Sequence, residues 1–252
     1  MNVETYRERK RQLLAEEPQH RELCTTCMQP KYGCYCASVR RFDPKMRFII
    51  LIHPIEVKRR IATGRMSHLS LENSRLIPGR DYSGNRHVDE IVNNPAIHSV
   101  MLYPGKTAAN LTPMSSEARA ELFPNGKELA IFVIDGTWAT ARQMVRSENL
   151  KALPRVCFSP ETPSTFRVRK QPAPGCYSTI EAIHHTIELL GDARGFDTST
   201  RQHDALLDVF DVMVQRQLQF VRDVRSNRQL NYRREKLAST APAKTTHHSV
   251  GK

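Results

Sequence analysis

An α/β protein built on a parallel sheet is the fold class this chain predicts, and three observations carry the prediction. Short apolar runs at Phe48 to Ile52, Ser99 to Tyr103 and Leu129 to Ile134 have the length of buried strands. Helical patterns fall between them, and that alternation favours parallel pairing. The runs end in polar or proline-containing turns, at His53-Pro54, Pro104-Gly105 and Asp135-Gly136. In open sheets of this class, ligands bind at the carboxyl ends of the strands.

Taken in order, residues 1–23 are a charged segment with a helical stretch over Val3 to Glu17. Residues 24–40 hold a cluster of cysteines. Residues 41–224 form the main domain, and 225–252 a basic, partly disordered tail. Within the domain, Pro54 ends the first strand and holds His53 extended. Ser67 to Leu76 has apolar residues at helical spacing, with Ser67 as N-cap. Ser116 to Phe123 and Ala139 to Val145 read as short helices, and Arg155 to Phe158 as a further strand. Ser164 to Gln171 alternates basic and apolar residues, which predicts a half-buried edge strand. Thr179 to Leu190 reads as a helix ended by Gly191 at C′. Ala205 to Val224 has Leu206, Val209, Phe210, Met213, Val214 and Phe220 on one side of a long amphipathic helix. Beyond Leu237 the composition is that of a disordered end.

The 252 residues are 39% apolar, enough for a core. No apolar run approaches the roughly 18 residues of a membrane helix. The stretch Met1 to Arg21 lacks the apolar centre of a signal peptide, so the expected location is the cytoplasm. The net charge is +12, and Arg225 to Lys252 holds seven Lys/Arg against one acidic residue, a surplus of six. A lopsided basic balance points to a nucleic-acid partner, against the plainer reading of a solvated basic surface. Phosphate-binding G-x4-G-K-[ST], dinucleotide-binding G-x-G-x-x-G and the G-x-S-x-G elbow are all absent from the sequence.

Four of six cysteines fall at Cys24, Cys27, Cys34 and Cys36. A C-x2-C pair lets two thiolates converge on one ion, and Gly33 permits the turn that returns the second pair. Four sulfurs make a closed, structural Zn2+ site. Disulfides, a redox cluster or an unmetallated cluster are the competing accounts, and a reducing compartment disfavours disulfides. Cys157 and Cys176 read as ordinary buried thiols.

Three turns carry polar groups without an obvious packing role: His53-Pro54-Ile55-Glu56 with Thr63-Gly64-Arg65, Asp135-Gly136-Thr137-Trp138, and Ser178-Thr179-Ile180-Glu181. The second and third have a plain structural reading as helix caps. Together they resemble the mouth of an active site.

Asp135-Gly136-Thr137-Trp138 resembles the D-x-T-W motif that names the DTW-domain family. The likeness extends to the four cysteines, the H-P-x-E segment, Thr63-Gly64-Arg65, Tyr103-Pro104-Gly105 and Ser178 to Glu181, over roughly Cys24 to Val224. The resemblance implies a tRNA-uridine aminocarboxypropyltransferase. Such an enzyme moves the 3-amino-3-carboxypropyl group of S-adenosylmethionine to N3 of a uridine in tRNA and releases 5′-methylthioadenosine. It also implies a fold related to the SPOUT methyltransferases, whose chain is threaded into a knot around the cofactor.

On that reading Asp135 is the first choice as general base and Glu181 the second, with Thr137 as a positioner. Trp138 either stacks on a base or anchors the motif in the core. Contacts to S-adenosylmethionine fall to His53, Glu56, Thr63, Gly64, Arg65, Pro104, Gly105, Ser178 and Thr179. Arg65, or the backbone amides of Thr63-Gly64, would take the α-carboxylate. Arg167, Arg169 and Lys170 are the expected phosphate contacts, and a solvated strand face is their plainer reading. The expected partner is tRNA, with no membrane and no DNA, and oligomeric state stays open. The alternatives are an RNA methyltransferase of the SPOUT kind and a non-catalytic zinc-containing RNA-binding module.

Overall fold

A computed structural model describes Glu4 and residues 22–59, 61–168 and 175–239, with 224–239 as backbone only. Residues 22–40 are rich in turns. Leu23 bridges Pro30, and two 3-10 turns follow at Lys31–Gly33 and Cys36–Ser38. The elements then alternate: β1 (Arg47–Ile52), α1 (Pro54–Val57), α2 (Thr63–Ser70), β2 (Ser74–Pro78), α3 (Arg86–Val92), β3 (Ile97–Leu102), β4 (Ala109–Asn110) and α4 (Ser116–Glu121). After them come β5 (Glu128–Asp135), α5 (Trp138–Met144), α6 (Glu148–Lys151), β6 (Arg155–Cys157), α7 (Thr179–Leu190) and α8 (Ala205–Ser239).

The sheet is parallel throughout, in the order β2-β1-β5-β3-β6-β4. Side chains alternate across it, as a pleated strand requires. Phe48, Ile50, Ile131 and Val133 face one core with α7 and α8; Ile49, Leu51, Ala130 and Phe132 face the other, with Val88, Met144 and Leu150. Helices therefore cover both faces, which explains why β1 and β5 are near-continuous apolar runs. The chain leaves β1 toward β2 on one side and leaves β5 toward β6 on the other. Their carboxyl ends thus form a topological switch point, the usual crevice for a ligand. Ile52 lies opposite Asp135 in register, so His53 emerges beside Asp135 and donates its N–H to the Asp135 carbonyl at 3.0 Å.

Several expectations meet the structure. Pro54 does end β1: it stands at the first turn of α1, with His53 extended before it as the N-cap. The helix expected over Ser67 to Leu76 instead begins at Thr63 and ends at Ser70. Ser67 is not its cap but sits mid-helix, its hydroxyl donating back to the Thr63 carbonyl at 3.0 Å. The remainder becomes β2, because pairing with β1 and the split of Leu76 and Ile77 between the two cores override helical spacing. No strand forms over the described part of Ser164 to Gln171: Phe166 drops into the core and meets Phe210, while Ser164 and Thr165 turn to Glu181.

Gly191 is right-handed (φ −56°), and the left-handed residue is Gly195. Gly191 is demanded by space instead, since a Cβ would lie 2.7 Å from the Ile187 carbonyl oxygen. The long helix runs on to Ser239 rather than ending near Val224. The helix expected over Val3 to Glu17 and the end beyond Ser239 lie outside the described residues, Glu4 excepted.

Candidate active site at the strand ends and a four-cysteine centre

Asp135 ends β5 and is 5% exposed. Its carboxylate accepts the Thr179 hydroxyl on Oδ1 at 2.7 Å and the Gly64 N–H on Oδ2 at 3.2 Å. Three polar turns far apart in sequence thus meet on one side chain. A Cβ at Gly64 would stand 2.6 Å from Asp135 Oδ2, so any other residue there must push the carboxylate aside. A carboxylate gripped by donors from two elements is fixed in direction before any ligand arrives.

Beside Asp135 lies a cavity of about 630 Å³, within the range of small-molecule sites. Of the residues singled out from the sequence, Thr63, Pro104, Asp135, Thr137, Trp138, Ser178 and Thr179 line it. Thr137 also caps α5, its oxygen accepting the Thr140 N–H at 3.2 Å. Trp138 is 41% exposed and meets Tyr103 at 6.3 Å between ring centres, so it is no core anchor.

Other candidates stand elsewhere. Glu181 does not line the cavity. Its carboxylate accepts from Ser164 Oγ, the Thr165 N–H and hydroxyl, and the Ser178 N–H and hydroxyl. That pattern pins the loop before α7 to the helix start, a capping box extended to a second segment. Glu56 is buried and pairs with Arg59 at 2.8 Å. Arg65 turns to the Val57 carbonyl, and its buried Nη1 has no hydrogen-bond partner among the described residues. His53 and Gly64 reach Asp135 through their backbone N–H groups without lining the cavity, and Gly105 does not line it either. Arg167 is exposed at a turn beside the cavity wall, whereas Arg169 and Lys170 lie outside the described residues.

Sequence reasoning missed the aromatic and thiol wall. Phe158, Phe166 and Tyr177 line the cavity, and so do Cys157 and Cys176, half-buried rather than ordinary core thiols. The Cys157 thiol is pushed up by burial. The density of aromatic residues and prolines between β6 and α7 was the available signal.

The four cysteines converge. Their Sγ atoms all lie within 4.8 Å of one another, with Cys24 to Cys36 and Cys27 to Cys34 each at 3.7 Å. A tetrahedron of sulfurs about 2.3 Å from zinc has edges of about 3.8 Å, so the donor set fits that ion. Gly33 closes the 3-10 turn before Cys34 without a left-handed φ, and the left-handed residue of the segment is Met28 (φ 60°). Backbone N–H groups of Cys27 and Thr26 pull the Cys24 thiol down to about 6, while burial raises Cys27 and Cys36. The segment is seated on α8, with Tyr32 stacked on Phe220 at 5.7 Å and Arg216 donating to the Cys34 carbonyl.

The fold and site define an α/β protein with a carboxylate-centred cavity at a sheet switch point. The chain belongs to the DTW domain family, which matches residues 21–218. It is 28% identical over 184 residues to tRNA-uridine aminocarboxypropyltransferase 2 of Drosophila melanogaster, covering 70% of this chain and 69% of that protein. It is also 28% identical to the Mus musculus protein of the same name, across 71% of this chain and 59% of the relative. Similarity to tRNA-uridine aminocarboxypropyltransferase A of Arabidopsis thaliana is 26% over 206 residues, 72% of this chain and 78% of the relative. No solved structure matches the chain significantly.

Proposed function

We propose that this protein transfers the 3-amino-3-carboxypropyl group of S-adenosylmethionine to N3 of a uridine in tRNA. The observation that carries the reading is the meeting of Gly64, Asp135 and Thr179 at the wall of a cavity of about 630 Å³. The names of the relatives in fly, mouse and Arabidopsis support the reaction class.

The chemistry asks for little covalent help. Uridine N3 carries a proton and becomes nucleophilic when a base removes it. Asp135 takes that proton. The N3 electron pair then forms a bond to the methylene carbon next to the sulfonium, the carbon–sulfur bond breaks, and its electrons leave on sulfur as neutral 5′-methylthioadenosine. Positioning supplies most of the rate, since the wrong carbon would give methyl transfer. Trp138, Tyr103 and Phe158 offer aromatic faces for the donor's adenine and cationic sulfur, and Thr63 and Thr137 supply hydroxyls on the same wall.

Arg65 serves outside this cavity, so its expected contact to the α-carboxylate is dropped in favour of those hydroxyls. Glu181 has its oxygens committed to five donor groups, which leaves Asp135 as the base. The four cysteines hold zinc as a closed structural site with no position for chemistry. Arg167, with Arg169 and Lys170, meets tRNA phosphates.

The test is incubation of tRNA with S-adenosylmethionine labelled in either the methyl or the carboxyl group. Carboxyl label should enter tRNA and methyl label should not. Methyl incorporation would make this a methyltransferase, and incorporation of neither would make it a binding module.

A further inference from the structure

We infer that a second cavity, next to the first, receives the nucleotide adjoining the target uridine, with Arg155 holding its phosphate. The inference rests on the tRNA reading above.

The second cavity measures about 590 Å³ and is walled by His98, Thr107, Phe123, Lys151 and Arg155. Among its described lining residues there is no carboxylate. Lys151 is the one lining cation with a partner, the largely exposed Glu148 at 2.5 Å. Arg155 has no ion-pair partner among the described residues; its guanidinium lies over the Tyr103 ring, 5.5 Å from the centre. A guanidinium stacked on an aromatic face keeps its edge N–H groups for a planar or phosphate acceptor. Arg194 sits over Phe123 at 5.3 Å and adds positive field behind the wall. His98 meets Phe123 edge-on at 5.9 Å, and burial, then Lys127 and Arg194, hold its proton affinity down. It therefore offers the cavity a neutral imidazole near pH 7.

Position relates the two cavities. Val100 lines the second and Leu102 the first, two residues apart on one face of β3 and so about 7 Å along the strand. Tyr103, the ring beneath Arg155, is also the ring that Trp138 meets in the first cavity. Arg155 thus stands at the shared rim, where the backbone of a splayed single strand would cross from one cavity to the other. Single-stranded RNA is read in this way, by stacking unstacked bases while cations hold the backbone.

The experiment measures tRNA affinity against salt without any methyl or carboxypropyl donor, so that turnover does not enter. Arg155→Ala should weaken binding about tenfold and make the slope of log K against log salt shallower by about 0.7, one phosphate contact on a single strand. Arg155→Lys should recover most of the slope, and Arg86→Ala, at an exposed helix pair, should change neither value. Unchanged affinity and slope in Arg155→Ala, with wild-type protein binding tRNA, would overturn this inference and leave the reaction standing. Wild-type protein that binds no tRNA at any salt would overturn both.

Discussion

Asp135 and Glu181 are both buried carboxylates at the edge of one cavity's framework, and they are held in opposite ways. Glu181 is enclosed by five donors from its own helix start and the loop packed on it, so both oxygens serve the fold. Asp135 takes donors from α2 and α7, two elements that meet only in the folded state, and it faces a cavity. The first carboxylate closes a segment. The second is aimed. Burial and a motif position are therefore insufficient to assign catalysis; the direction and origin of the hydrogen bonds separate the two roles.

The largest effect should come from exchanging their charges one at a time. Asp135→Asn should lower transfer by roughly 10²- to 10⁴-fold, the usual worth of a positioned base, with tRNA binding nearly intact. Glu181→Gln should do the reverse, keeping transfer below the unfolding temperature while stability falls by about 2–3 kcal/mol. Equal losses of turnover in both would erase the distinction.

Metal removal acts on the four-cysteine segment, which packs on α8 but contributes no residue to the cavity wall. A strong chelator should release one zinc per chain and lower Tm by roughly 5–10 °C, as loss of a few kcal/mol would in a protein of this size. Protein with no metal and four titratable thiols would refute the zinc assignment.

Gly64→Ala should reduce transfer about 10- to 100-fold with the fold retained, because the new methyl group must displace the Asp135 carboxylate. Thr179→Val removes one donor to Oδ1 and should cost less, about 1–1.5 kcal/mol in the barrier or roughly tenfold. A Thr179→Val enzyme slower than Gly64→Ala would mean that the hydroxyl does more than orient.

Much of the architecture was legible because periodicity reports burial: β1, β5, α7 and the apolar face of α8 all follow from it. The failures have physical causes. Ser74–Pro78 is a strand because β1 offers a free edge, and nothing local to Leu76 signals that pairing. The stretch around Phe166 alternates like a strand, yet Glu181 collects Ser164 and Thr165 and forces a turn. Within the site, the polar turns were visible as chemistry without packing. What spacing could not show is that Gly64 and Thr179 are partners of one carboxylate, or that Cys157 and Cys176 share a wall with Trp138.

Trp138 is the only tryptophan in the 252 residues and stands in the wall beside Asp135, so its emission reports on this cavity alone. Titration with S-adenosylmethionine should change that emission saturably, with the same response in Glu181→Gln. Emission that stays constant while equilibrium dialysis shows the donor bound would place the donor elsewhere and contradict the assignment of this cavity as the reaction site.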